Sequence, residues 1–323
     1  MNSFGRIFRI SIFGESHGAL VGICIDGCRQ GIKLCENDFL HDIQRRKSGK
    51  QGTTLRIESD TPQIVSGVFN GFTTGSPITI LFKNQNINSE DYLQFKTQPR
   101  PNHADFVAMK KFYGFNDYRG SGHFSGRLTL PLVAAGVIAK KNIPEININA
   151  KIIKVGGETD IDKTVESAIS NGDSLGGIIE CVAKNIPVGL GEPFFDSVES
   201  QIAHLAFSIP AIKGIEFGAG FSSANMRGSE HNDIIINEHG KTATNNAGGV
   251  VGGITNGNDL IFRVAVKPTS SIMKNQQTFD FENQKISDLK IHGRHDACIA
   301  LRIPVIIEAI TAIALADFIL LKR

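Results

Sequence analysis

The chain has 323 residues, 41% hydrophobic and 20% charged, with 34 basic and 32 acidic side chains and a formal net charge of +2. This is the composition of an ordinary soluble globular protein, not of a disordered or low-complexity one. The near balance of charge excludes a general basic field for nucleic acid or an anionic membrane, so any anionic partner must be met locally.

The N-terminal apolar run is broken by Arg9 and Glu15 and has no small-residue cleavage site, so it does not read as a secretory signal. Cys24, Cys28, Cys35, Cys181 and Cys298 are odd in number and form no C-x-x-C pair. That fits neither a disulfide framework nor a structural zinc site, and the expected location is the reducing cytoplasm.

Two β-rich runs, 6–13 and 19–25, flank Gly14-Glu15-Ser16-His17-Gly18. A strand end between glycines is a common seat for a working side chain. His17, with an ordinary pKa near ~6.5, can give or take a proton at neutral pH; the competing reading is a hydrogen-bonded turn histidine. Residues 38–46 read as a helix capped by Asn37. Its end begins the densest basic patch, Arg45, Arg46, Lys47, Lys50 and Arg56, which reads either as a solvated face or as a lid over an anionic substrate.

Glycine-rich turns follow at 71–77, 113–122 and 247–253, where the backbone can approach a ligand closely. Between the first two lies Arg100-Pro101-Asn102-His103-Ala104-Asp105. Pro101 orders the turn, and Asp105 is expected to cap the next helix with His103 at its positive end, where an anion is favoured. An exposed histidine at a capped helix start is the plainer alternative.

The polar stretch 156–173 is the only candidate joint, it is short, and one domain over 1–323 is expected. Residues 196–208 read as an amphipathic helix with Asp196 as cap and Glu199 three residues on. The strand Leu260–Val266 runs into Lys267-Pro268-Thr269-Ser270-Ser271, one cation and three hydroxyls that suit a phosphate ester or an ordinary turn.

Gly293-Arg294-His295-Asp296 precedes the apolar run Pro304–Leu321, with Asp296 read as a working acid or as a cap. The run is nearly long enough to span a bilayer, which needs about 20 residues. Glu308 and Asp317 inside it favour a buried core helix with Pro304 in its first turn. No H-x-x-x-H or similar spacing supports a metal site, so none is expected.

Taken in order, GESHG, RPNHAD, the YG-x-x-DYRGSG run, RVAVKPTSSI and GRHDACIALRIPVIIEA resemble the signature segments of the chorismate synthase family and span residues 14 to 309. The resemblance implies an α+β fold in which antiparallel sheets sandwich helices, and a homotetramer. It also implies anti 1,4-elimination of phosphate from 5-enolpyruvylshikimate 3-phosphate with reduced FMN.

Under that resemblance His17 would protonate the reduced flavin, His103 would protonate the departing phosphate, and Asp296 would take a proton on the flavin N5 side. The substrate side would comprise Ser16, Arg46, Arg119 and Arg127. FMN would be met by His123, Phe124, Ser125, Ala211, Gly252, Lys267, Pro268, Thr269, Ser270, Ser271 and Arg294, with Lys267 at its phosphate. No separate G-x-G-x-x-G domain is present, which argues against built-in NADPH-driven reduction of the flavin.

The chain departs from the family pattern where GGGRSSARET is expected: residues 120–129 read GSGHFSGRLT, with His123 for an arginine and Leu128 for a glutamate. Asn246 stands where a histidine is expected, and 156–173 is shorter than usual. These exchanges motivate a second class of function, a catalytically silent ligand-binding paralogue.

Overall fold

The computed structural model describes residues 2–54, 58–86, 90–291 and 295–322. In the first half lie strands β1 (Ser3–Phe4), β2 (Arg9–Gly14) and β3 (Leu20–Asp26), then helix α1 (Leu40–Arg46). Strands β4 (Gln63–Ile64), β5 (Val68–Phe69), β6 (Phe72–Thr73) and β7 (Ile78–Lys83) follow, then helices α2 (Asp105–Lys111) and α3 (Thr129–Asn142). The second half holds β8 (Asn147–Val155), α4 (Ile161–Ser170), β9 (Gly177–Lys184), α5 (Val198–Ser208), β10 (Ile212–Phe217) and α6 (Gly228–His231). It ends with β11 (Val250–Val251), β12 (Ile254–Thr255), β13 (Leu260–Val266), β14 (Gln276–Asp280), β15 (Lys285–Leu289) and α7 (Pro304–Leu321).

Two antiparallel sheets enclose the long helices. The first has the order β1-β2-β3-β7-β4 and the second β10-β13-β9-β8. Each buries alternate residues, as a sheet with one covered face must: β7 hides Ile78, Ile80 and Phe82, and β13 hides Leu260, Phe262, Val264 and Val266. Helix α3 packs on β2, β3 and β7, α7 packs on β8 and β9, and the two helices pack on each other. The layers therefore run sheet, helix, helix, sheet, the α+β sandwich expected from the motifs.

A helix that is apolar on every face must be covered on every face, and α3 and α7 both are. They approach closely at Gly136, where a Cβ would stand 2.5 Å from Ala309 Cα. Gly136→Ala is expected to lower stability by about 1–3 kcal/mol through overpacking, read as a lower urea midpoint at unchanged m value.

The acids within α7 show why it is a core helix. Glu308 accepts two bonds from Arg45, at 2.7 and 2.6 Å, and one from Lys140 at 3.2 Å. Asp317 accepts the backbone N–H groups of Arg6, Ile7 and Phe8 at 2.7–3.0 Å. Both carboxylates are buried and satisfied inside the protein.

Local details differ from the sequence pattern where a neighbouring side chain competes for a cap. Residues 38–46 split into a 3-10 turn, Glu36–Phe39, and α1; Cys35, not Asn37, takes the cap position, with Asp38 accepting its N–H at 2.9 Å. Helix α5 is capped by Ser197, which accepts the Ser200 N–H at 3.0 Å. Asp196 lies in the preceding turn and instead pairs with Gln201 and Arg6.

Candidate active site

The motif-bearing loops of the sequence meet in a cleft of about 280 Å³, reached from both sheets and from the start of α7. Ser16 arrives from the end of β2, Arg46 and Lys47 from the end of α1, and Lys267 to Ser271 from the end of β13. Arg100 and His103 come from the turn before α2, Phe124 to Arg127 from the turn before α3, and Asp296 and Arg302 from the approach to α7. Six cations, Arg46, Lys47, Arg100, Arg127, Lys267 and Arg302, line the cleft against three carboxylates, Glu58, Asp60 and Asp296, among the described residues. The surplus is positive, as an anionic ligand requires.

His103 is the best-held proton carrier in the wall. Its Nδ1 lies 2.7 Å from Asp105 Oδ1, and Asp105 is gripped by Arg100 through two bonds of 2.8 Å. Arg100 also reaches Ser271 Oγ and Ser121 Oγ and stacks over Phe95 at 4.3 Å. Asp105 therefore does not cap α2, whose cap residue Ala104 makes no side-chain bond; the competing arginine takes both carboxylate oxygens. Burial raises the Asp105 pKa, but Arg100 and His103 outweigh it and hold the carboxyl far below its usual range. Burial pushes the His103 pKa below the ordinary histidine value, with Asp105 opposing and Arg100 and Lys267 assisting.

The arginines sort by partner. Arg46 is buried, donating to Thr129 Oγ1 and the Gly126 carbonyl at 2.9 Å each. Burial, then the nearby Arg302, pull its pKa down to about 9, against Asp60, whose Oδ2 lies 3.7 Å from Nη1; it remains a cation at neutral pH. Arg127 is tied to Asp60 Oδ1 at 2.6 Å and to Asn84. Arg302 stands 3.5 Å from Asp296, which also accepts the Thr54 N–H at 3.0 Å.

Arg119 is not brought to the cleft. Its guanidinium turns back on Asp117 through two bonds of 2.9 Å and is 41% exposed, because Asp117 lies only two residues away and the chain reverses at Gly120. The basic patch divides: Arg45 is a strut to Glu308, Arg46 and Lys47 line the cleft, and Lys50 is exposed. Arg56 and Arg294 lie outside the described residues. Gly252, in the turn between β11 and β12, does not line the cleft.

His17 sits behind the wall rather than in it. Its ring meets Tyr92 edge-on at 5.1 Å, and a Cβ on Gly120 would fall 2.0 Å from its Nδ1. Gly120 has φ +56° and both Gly120 and Tyr92 line the cleft, so only a glycine permits this packing.

A second cavity of about 620 Å³ adjoins the cleft and shares His103, Phe124, Ser125, Pro210, Ala211 and Lys267 with it. Its remaining wall is largely apolar, with Ile10, Ile12, Leu128 and Leu132. His123 belongs here and not in the cleft: Nδ1 is 2.9 Å from the Gly14 carbonyl and Nε2 is 3.1 Å from Asn2 Oδ1. None of the exchanges that suggested a silent paralogue lines the cleft. Leu128 is core, and Asn246 donates to the Glu230 and His231 carbonyls.

The walls suit a flat, partly apolar ligand bearing a phosphate. Thr269 Oγ1 is buried there without a hydrogen-bond partner among the described residues, a hydroxyl left for a ligand. Lys267 lines the same cleft, its Nζ held by the Asn102 carbonyl at 2.8 Å and Ser270 Oγ at 2.9 Å. Ala211 adopts φ +76°, strained for a non-glycine, and its carbonyl accepts the Lys267 N–H.

Sequence reading missed Asp60, Glu58, Tyr92, Ser121 and Arg302 as cleft residues. Arg302 and Ser121 had a signal, since each falls inside a motif; Asp60, Glu58 and Tyr92 carry no pattern of their own.

The profile of the chorismate synthase family matches residues 8–320. A chorismate synthase of Chitinophaga pinensis is 62% identical over 324 aligned residues, covering 100% of this chain and 98% of the relative. One from Korarchaeum cryptofilum is 44% identical, covering 98% of this chain and 97% of the relative. A crystal structure of chorismate synthase superimposes with a TM-score of 0.75 at 27% identity, over 99% of this chain and 93% of that one.

Proposed function

Because this chain belongs to the chorismate synthase family and shares its carbon-oxygen lyase activity, we propose that the cleft around His103 performs the anti 1,4-elimination of phosphate from 5-enolpyruvylshikimate 3-phosphate. The observation that carries this reading is the Arg100–Asp105–His103 unit facing a cation surplus. A departing phosphate gains from a general acid and from fixed positive charge, and both stand on one wall.

In the free enzyme burial keeps His103 largely neutral. An arriving phosphate dianion raises its pKa, and Asp105 supports the imidazolium through Nδ1–H. His103 then protonates the leaving oxygen while Arg46, Arg127 and Arg302 absorb the developing charge. In this reading Asp296, held by the Thr54 N–H and by Arg302, takes the proton. Ser16 belongs to the substrate wall, and His17, packed behind Gly120, would serve as the proton donor to the flavin.

The cofactor of this reading is reduced FMN, which when bound would supply an electron to the reacting system and recover it. Lys267 and the hydroxyls of Thr269, Ser270 and Ser271 suit its phosphate; Phe124, Pro210 and Ala211 suit its ring. Lys267→Ala is expected to raise the FMN Kd about 10- to 100-fold, the loss of a charged hydrogen bond, measured by fluorescence titration.

The assay that tests the function is anaerobic phosphate release with dithionite-reduced FMN; no turnover with substrate binding intact would overturn it. We also assign a single domain, supported by one contiguous apolar core through both sheets. A homotetramer fits the exposed Ile234, Ile235 and Ile236, and sedimentation at micromolar concentration checks it. Five free thiols support a reducing cytoplasm.

A further inference from the structure

The turn before α3 holds three consecutive residues with positive φ: Gly120 at +56°, Ser121 at +68° and Gly122 at +52°. Glycine accepts such angles freely, whereas a serine there is strained. Ser121 is therefore a side chain kept at a position where its backbone disfavours it. Its hydroxyl has two side-chain neighbours, His103 Nε2 at 3.3 Å and Arg100 Nη2 at 3.2 Å. Ser121 also lines both the cleft and a separate cavity of about 140 Å³ behind His103.

The donors and acceptors at this junction fix each other. Arg100 has only N–H groups to give, so it occupies a lone pair of Ser121 Oγ. The hydroxyl proton is then left to point at His103 Nε2. On the far side of the ring, Nδ1 meets the Asp105 carboxylate, an acceptor only, at 2.7 Å, a much shorter contact than those with the Arg100 Nη2 and Asp105 N–H donors at 3.2 and 3.3 Å. The neutral ring therefore carries its proton on Nδ1 and presents Nε2 as an acceptor at the cleft wall.

We propose that Ser121 is a positioning residue for His103, its hydroxyl holding Nε2 in one tautomer and one orientation until the phosphate of the substrate takes its place. This rests on His103 being the general acid of the cleft. The hydrogen bond at 3.3 Å is long, as befits a contact that a ligand displaces. The charged groups that set the titration of His103 are Asp105 on α2, Arg100 on its own turn and Lys267 beyond β13. Ser121 adds a neutral donor that favours the unprotonated ring, because a hydroxyl already receiving from Arg100 is a poor acceptor for an imidazolium.

The test uses Ser121→Ala and Ser121→Gly in the full-length protein, with the His103 ring followed by nitrogen-15 NMR titration and kcat and KM followed separately. Both variants lose the hydroxyl, but only glycine also relieves the backbone. The expected result is the same in both: the His103 midpoint moves up by about half a unit or more, the scale of one lost hydrogen bond. At the same time kcat falls about tenfold, with KM little changed. Ser121→Gly should melt no lower than the wild type.

An unmoved midpoint in both variants overturns the inference, as does a shift in Ser121→Ala alone, which would mark a backbone effect. His103→Ala run alongside separates the two levels. If that variant keeps full kcat, the general-acid reading fails while the NMR result still judges the Ser121 contact.

Discussion

His103→Ala is expected to lower the rate of phosphate release by roughly 10²- to 10⁴-fold, the usual worth of a positioned general acid, while FMN binding is retained. The ring is not part of a core cluster, so its loss leaves the apolar packing intact. It does leave Asp105, but that carboxylate keeps both bonds from Arg100, which is why the variant should fold. Equal loss of FMN binding and secondary structure would refute the division of labour between His103 and Lys267.

The pH dependence follows from the same geometry. An acid must be protonated, so kcat/KM falls as pH rises through the pKa of the free enzyme. Burial depresses that pKa, so the alkaline limb should lie on the acid side of an ordinary histidine. The limb should vanish in His103→Ala; a limb of unchanged position in that variant would assign it to another group.

Asp317→Ala is expected to destabilise the fold by about 2–5 kcal/mol, through several buried hydrogen bonds lost at once. The carboxylate serves the N–H groups of Arg6, Ile7 and Phe8, and Phe8 is wholly buried. Its contact with the Arg6 guanidinium adds little, since that side chain is 35% exposed and can turn to water. The consequence reaches the active site, because residues 6–8 lead into β2, which carries Ser16 and His17 at its end. Urea unfolding measures the effect; a midpoint within error of the wild type would mean that water replaces the carboxylate.

Much of the architecture was legible in the chain. Strand β13 and helix α7 fall where their patterns place them, because a mostly apolar run, broken by Arg263 in the strand and by Glu308 and Asp317 in the helix and bounded by Pro304 or by a Gly/Pro turn, has few alternatives. Cap residues were not so legible. Asn37, Asp105 and Asp196 all have the chemistry of caps, yet Asp38, Arg100 and Ser197 decide the outcome through partners that a linear pattern does not weigh.

The sequence by itself determined interleaved strands and helices and the membership of His103, Asp296 and the Lys267 to Ser271 run in one ordered set of motifs, and it is the family resemblance of those motifs that implied the layered α+β class. Only the tertiary structure decided which charges face a ligand. Arg45 and Arg46 are neighbours in sequence, but successive residues on a helix diverge by about 100°, so one braces Glu308 and the other enters the cleft. Arg119 is taken by Asp117, His123 by Gly14 and Asn2, and Asp60 reaches Arg127 from 67 residues away. An ionic side chain goes to whatever counter-charge the fold brings within a few ångströms, and that distance is set by packing rather than by order along the chain.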